Sequence, residues 1–166
     1  MGVTPLFSGW PKASLATKSQ EMLDRIKTLI DGSQSTAEKL QAVCRLIKDS
    51  AAHYDWVGFY LVAESGGELV LGPYEGEPTA HARIPFGRGI CGQAAASGET
   101  FLVQDVAKEP NYLSCSPAVR SEVVVPIFKS ARLVGELDID SHTPAAFTDA
   151  EVALLEQICQ IVATLL

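Results

Sequence analysis

Apolar residues in the first third of the chain recur every three or four positions. Leu15, Met22, Leu23, Ile26, Leu29 and Ile30 share one face at helical spacing, which predicts a helix from about Leu15 to Ile30, stopped by "DGS". Ser35 and Glu38 then stand at capping-box spacing, ahead of an apolar stripe of Leu40, Val43, Cys44, Leu46 and Ile47 that predicts a second helix. After Asp55 the period changes to two. "WVGFYLVA" and "ELVLGPY", joined by the turn signal "ESGG", predict a β-hairpin, and "TAHARIP" a third strand. "SEVVVPIF" and "RLVGELDID" predict another hairpin around "KSA". Thr148 and Glu151 form a second capping box, opening the apolar closing helix "VALLEQICQIVATLL". Residues 1–12, with Pro5, Gly9 and Pro11, predict an irregular lead-in, and residues 13–166 one domain. The stretch between third strand and second hairpin predicts irregular structure, with a helix of about two turns at "ICGQAAAS". Hairpin connections make antiparallel neighbours, since parallel strands need crossovers of a dozen or more residues. The expected fold class is α+β: a central antiparallel β-sheet with N-terminal and C-terminal helices packed on it.

Composition narrows the function. With 166 residues the chain is long enough for one proper core. A formal charge of −7, with scattered basic residues, argues against binding nucleic acid or an anionic membrane. No apolar run approaches the ~20 residues of a membrane span. The opening residues lack the basic-then-apolar order of a secretory signal, so the expected compartment is the cytoplasm. The four cysteines, Cys44, Cys91, Cys115 and Cys159, form no C-x-x-C pair, so neither a structural zinc site nor a thioredoxin-type motif is expected. Cys44 and Cys159 lie in helix stripes and are expected in the core.

"RIPFGRGICGQAAA" contains G-x-G-x-x-G at Gly87, Gly89 and Gly92, with Asp105 thirteen residues further on. A dinucleotide site would need a buried parallel strand before the glycines and a full crossover helix after them. Here the preceding segment is polar and interrupted by Pro85, and the helix is short. The same stretch puts Cys91 in the first turn of a helix. There the helix N-terminus and Arg88 favour the thiolate; alternatively, Cys91 packs against the sheet as a small residue. Cys115 lies in "KEPNYLSCSPAVRS", polar and Pro-interrupted, which reads as a surface loop or lid. In "GELDIDS" the alternation puts Glu136, Asp138 and Asp140 on one strand face, in the same hairpin as Glu122. An ordinary solvated face is the expectation for Glu136. Were a lid to cover the "DID" end, the crowded carboxyls would raise one another's pKa and keep one protonated near neutrality. Such a site can hold an ammonium group and donate a proton to an oxygen.

Taken together, "WVGFYL", "LVLGPYEG", "RIPFGRGICGQAA", "QDV", "SEVVVPI", "GELDIDS" and "FTDAE" resemble the free methionine-(R)-sulfoxide reductases, a family of stand-alone GAF domains, over roughly two thirds of the chain. The resemblance implies that Cys115 attacks the sulfoxide sulfur and becomes a sulfenic acid. Cys91 would condense with it to a disulfide, which an external thioredoxin-like dithiol recycles. It also implies that Glu122, Asp105, Asp138 and Asp140 hold the amino group and sulfoxide oxygen of the substrate, and that Trp56 and Tyr60 form aromatic pocket walls. No bound cofactor and no metal are implied. Many members carry a third cysteine where this chain has His81, which leaves Cys91 as the resolving thiol and His81 as an exposed polar residue. Pairing of the first or last helices offers a route to a homodimer. The competing class is a GAF module that senses a small ligand without catalysis.

Overall fold

The computed structural model describes residues 14–113 and 116–166; the expected lead-in over residues 1–12 and Cys115, the expected attacking thiol, lie outside the described residues. Helix α1 (Leu15–Ile30) is N-capped by Ser14, and α2 (Thr36–Lys48) by the Ser35–Glu38 capping box. Strands β1 (Trp56–Val62) and β2 (Glu68–Glu75) form the first hairpin, with Val62 opposite Leu69. β3 (Arg83–Pro85) lies on the free edge of β2. It is only the end of the expected strand "TAHARIP". Ala82 N–H turns back to the Ala80 carbonyl, which breaks the extended run, and Pro85 has no amide to continue the ladder.

Helix α3 (Gly89–Ser97) follows, then the short β4 (Phe101–Val103), inside the region expected to be irregular. Three residues are too few to show a period, and β4 exists because it pairs with β5 (Ser121–Lys129). β5 and β6 (Arg132–Ser141) form the second hairpin. Lys129 pairs with Arg132, so the loop is Ser130 and Ala131 alone, both left-handed at φ 49° and 63°. That is the backbone of a two-residue turn matched to strand twist. Helix α4 (Asp149–Val162) opens on the Thr148–Glu151 capping box.

The sheet order is β3-β2-β1-β6-β5-β4, antiparallel throughout. Its two faces are covered differently. Val57, Phe59, Val123, Val125, Leu137 and Ile139 pack against Ile26, Leu40, Val43, Ile47, Leu155 and Ile158 of α1, α2 and α4. Cys44 and Cys159 lie in this core, where burial drives both thiols far up. The opposite face carries α3 and the segment after β4. There Trp56, Tyr60 and Val124 meet Ile90, Cys91, Ala94, Val103, Val106 and Val119. No helix among the described residues is long and apolar enough to cross a membrane.

Candidate functional site

The site lies between α3 and the sheet. Strand pairing sets three rows across β1, β6 and β5: Trp56–Asp140–Glu122, Gly58–Asp138–Val124 and Tyr60–Glu136–Pro126. Period-2 alternation turns all three acids of β6 toward the same face as Trp56 and Tyr60. Glu122, Glu136, Asp138 and Asp140 are all buried, at 5%, 0%, 0% and 2% exposure. Glu136 is therefore not on a solvated face. The expectation failed because α3 packs across β5 and β6 while the segment after β4 covers more of the same face.

The glycines of "GRGICG" serve backbone geometry. Gly87 and Gly89 have φ of 86° and 65°, a left-handed conformation that L side chains rarely adopt. A Cβ on Gly92 would stand 2.5 Å from the Pro85 carbonyl oxygen, so α3 can start close against β3 only with glycine there. The amide of Gly89 is taken by Asn111 Oδ1 at 3.2 Å, and Asn111 Nδ2 donates to the Gly87 carbonyl at 2.8 Å. These contacts tie the loop after β4 to the start of α3. Antiparallel neighbours and a nine-residue helix exclude the βαβ unit that a pyrophosphate site requires.

Cys91 points from the first turn of α3 into the acids. Its Sγ donates to Asp138 Oδ2 at 3.4 Å and reaches Glu122 Oε1 at 3.9 Å. Burial, then the carboxylates of Asp138, Glu136 and Glu122, push the thiol well above its ordinary range. Of the two readings open for Cys91, the packed, protonated one describes this state; desolvation and three acids outweigh the helix N-terminus. Burial likewise raises the carboxyls. Asp138 is pushed up to about 7; Glu122 and Asp140 go well above the carboxylate range, with Asp138 adding to both, and burial does the same for Glu136. Asp138 Oδ1, Asp140 Oδ1 and both oxygens of Glu136 accept no hydrogen bond among the described residues. Glu136 is near enough to act on the Cys91 thiol, though not at hydrogen-bonding geometry. Cys91, Glu122 and Asp138 offer ligand atoms within 4.8 Å of one another, close enough to share one small cation.

Trp56 stacks on Tyr74 at 5.3 Å and lies 6.3 Å from Tyr60. Its ring folds over Gly58, where a Cβ would meet the indole at 2.2 Å. The two expected wall residues are thus brought together with the acids. Asp105 is half-exposed, caps the turn Val106–Lys108 through Ala107 N–H, and pairs with Lys108 at 3.2 Å. His81 is half-buried rather than exposed, and its carbonyl accepts the Tyr60 hydroxyl at 3.0 Å. On the near side of the loop, Leu113 lines a small cleft with Cys91, Glu122 and Ile84. On the far side, Ser116 lines a pocket of about 60 Å³ with Trp56, Asp140, Thr79 and His142. A separate concavity of about 540 Å³ between α1 and α2 holds neither a thiol nor a buried acid. Asn111, Gly58 and Glu136 are the site residues that sequence reasoning did not assign. Only Glu136 left a signal, its alternation with Asp138 and Asp140 in an apolar strand.

Over most of its length the chain is similar to known proteins. The GAF domain family matches residues 35–166. The free methionine-R-sulfoxide reductase of Escherichia coli is 35% identical over 78% of this chain and 77% of its own. The yeast Saccharomyces cerevisiae protein of the same name is 33% identical over 86% and 82%. A crystal structure of free methionine-R-sulfoxide reductase from Neisseria meningitidis, in complex with its substrate, is 38% identical, covers 95% of this chain and 92% of its own, and superimposes with a TM-score of 0.82.

Proposed function

Because the chain belongs to the GAF-domain family, and within it to the free methionine-R-sulfoxide reductases, we propose that it reduces free L-methionine-(R)-sulfoxide to methionine by thiol chemistry. The observation that carries the reading is a buried thiol hydrogen-bonded to Asp138 on a strand face that also buries Glu122, Glu136 and Asp140 beside Trp56 and Tyr60. Supporting it, Leu113 and Ser116, the described residues on either side of Cys115, line clefts that contain Glu122 and Asp140 respectively.

In this mechanism the ionised share of the acid cluster holds the substrate ammonium. A protonated carboxyl, Glu122 or Asp140, hydrogen-bonds the sulfoxide oxygen and makes the sulfur electrophilic. Asp105, from its cap position, contributes to the charge around the pocket mouth. The Cys115 thiolate attacks the sulfoxide sulfur; the oxygen, taking the proton of the carboxyl, breaks from that sulfur and bonds to Cys115 Sγ, so that methionine leaves and Cys115 becomes a sulfenic acid. Cys91 then attacks the sulfenic sulfur, closing a disulfide and releasing water. Its proton passes first to Asp138, which already accepts the S–H and titrates near neutrality. No bound cofactor takes part; an external dithiol such as thioredoxin restores both thiols.

Incubation with dithiothreitol and racemic free methionine sulfoxide tests the reading. Methionine should form with loss of the R epimer alone; no methionine, or equal loss of both epimers, refutes the proposal. Cys115→Ser should abolish the reaction. Cys91→Ser should release one equivalent of methionine and then stall with thioredoxin as reductant. Turnover by Cys115→Ser would reverse the assigned roles. A sensing module would bind ligand without forming methionine.

A further inference from the structure

The groove under α3 brings one sulfur and two carboxylate ligand atoms within 4.8 Å of one another. In a tetrahedral zinc site, with Zn–S near 2.3 Å and Zn–O near 2.0–2.2 Å, neighbouring sulfur and oxygen ligands stand about 3.5–3.7 Å apart. Cys91 Sγ lies 3.4 Å from Asp138 Oδ2 and 3.9 Å from Glu122 Oε1, and all three donors fit within 4.8 Å. A separate observation points the same way. Glu136 is fully buried, faces the same side of β6, and leaves both carboxylate oxygens without a partner among the described residues; so does Asp138 with Oδ1. Buried carboxyl oxygens without partners are costly, and their need is for a cation or a donor.

We propose that, with its thiols reduced, the protein binds one thiophilic divalent cation, of which Zn²⁺ is the type, through Cys91 Sγ, Glu122 and Asp138, with the buried carboxylate of Glu136 beside the site as a further negative charge. Binding breaks the S–H bond of Cys91 and displaces the protons held by the carboxyls to solvent; no electron moves. Three anionic ligands then surround a charge of +2, relieving the crowding of like charges among them. A mixed sulfur and oxygen set selects Zn²⁺, Co²⁺ or Cd²⁺ over Mg²⁺ or Ca²⁺, which take oxygen alone. The cation occupies the thiol that resolves the disulfide in the reading above, so it acts as a reversible inhibitor and not as a cofactor.

Co²⁺ titrated anaerobically into the reduced full-length protein is the probe. One Co²⁺ per chain should bind, with thiolate-to-cobalt charge-transfer absorption in the near ultraviolet and the intense visible bands of tetrahedral geometry. Zn²⁺ should abolish both, and Mg²⁺ at tenfold excess should not. Cys91→Ser should remove the charge-transfer band. Asp138→Asn, which keeps the side-chain shape, should weaken binding at least tenfold while the far-ultraviolet circular dichroism stays unchanged. Glu136→Gln should weaken binding and keep the band. No stoichiometric binding overturns the proposal, as does a band that persists in Cys91→Ser or binding unaltered in Asp138→Asn. The readout is spectroscopic, so it stands apart from the activity assay: a protein that binds Co²⁺ but forms no methionine refutes only the proposed enzyme, and the converse refutes only the metal site.

Discussion

Asp138 illustrates how one residue links stability to pH. Its carboxyl is raised from near 4 to about 7 in the fold, chiefly by burial, so the folded state holds its proton more tightly than the unfolded chain does. Stability from this group is whole below about pH 4 and falls as pH rises through about 7. Glu122, Glu136 and Asp140, also raised, act with the same sign. The thermal midpoint of the reduced, ligand-free protein should therefore drop from pH 5 to pH 8. Asp138→Asn should flatten that slope and stabilise the protein at pH 8, by up to about 4 kcal/mol. An unchanged slope in scanning calorimetry would show that Asp138 does not carry the effect. The alternation of these acids was legible in "GELDIDS". Their burial was not, because a strand face that alternates acid and apolar residues reads the same whether water or a helix covers it.

At the scale of elements, the helix starts were legible in detail. Both capping boxes form as the serine, threonine and glutamate spacing predicts, with Ser35 Oγ and Thr148 Oγ1 accepting the amides of Glu38 and Glu151 at 3.3 Å. Thr148→Ala should cost about 1 kcal/mol in urea denaturation and leave the site chemistry untouched, because α4 packs on the far face of the sheet. Gly92→Ala should cost more than that cap despite adding only one methyl, since the new Cβ meets backbone at Pro85. A loss below that of Thr148→Ala would mean that β3 yields easily. The weakly legible elements were the short ones. β4 and β3, three residues each, exist through pairing with β5 and β2 and carry no period of their own.

The whole molecule is a sheet with two unlike coats. One is an apolar core under three helices, the other a chemical face under α3 and a loop. Ile139→Ala removes a fully buried side chain from the first coat and should cost roughly 2–5 kcal/mol in guanidinium unfolding, with the slope m unchanged. A cost under 1 kcal/mol would contradict the packing described. By itself the sequence determined the α+β class, the antiparallel hairpins, the capped helices, the core placement of Cys44 and Cys159, and the shared face of Asp138 and Asp140. Each of these rests on residues within one turn or one hairpin, where local geometry suffices. Only the tertiary structure decided that α3 lies across β5 and β6, that Glu136 is buried, that Asn111 fastens the loop to Gly87 and Gly89, and that Cys91 is held as a thiol among Asp138, Glu136 and Glu122. Those outcomes join residues dozens of positions apart, and they depend on excluding water from between them, a property of the assembled fold that no local pattern encodes.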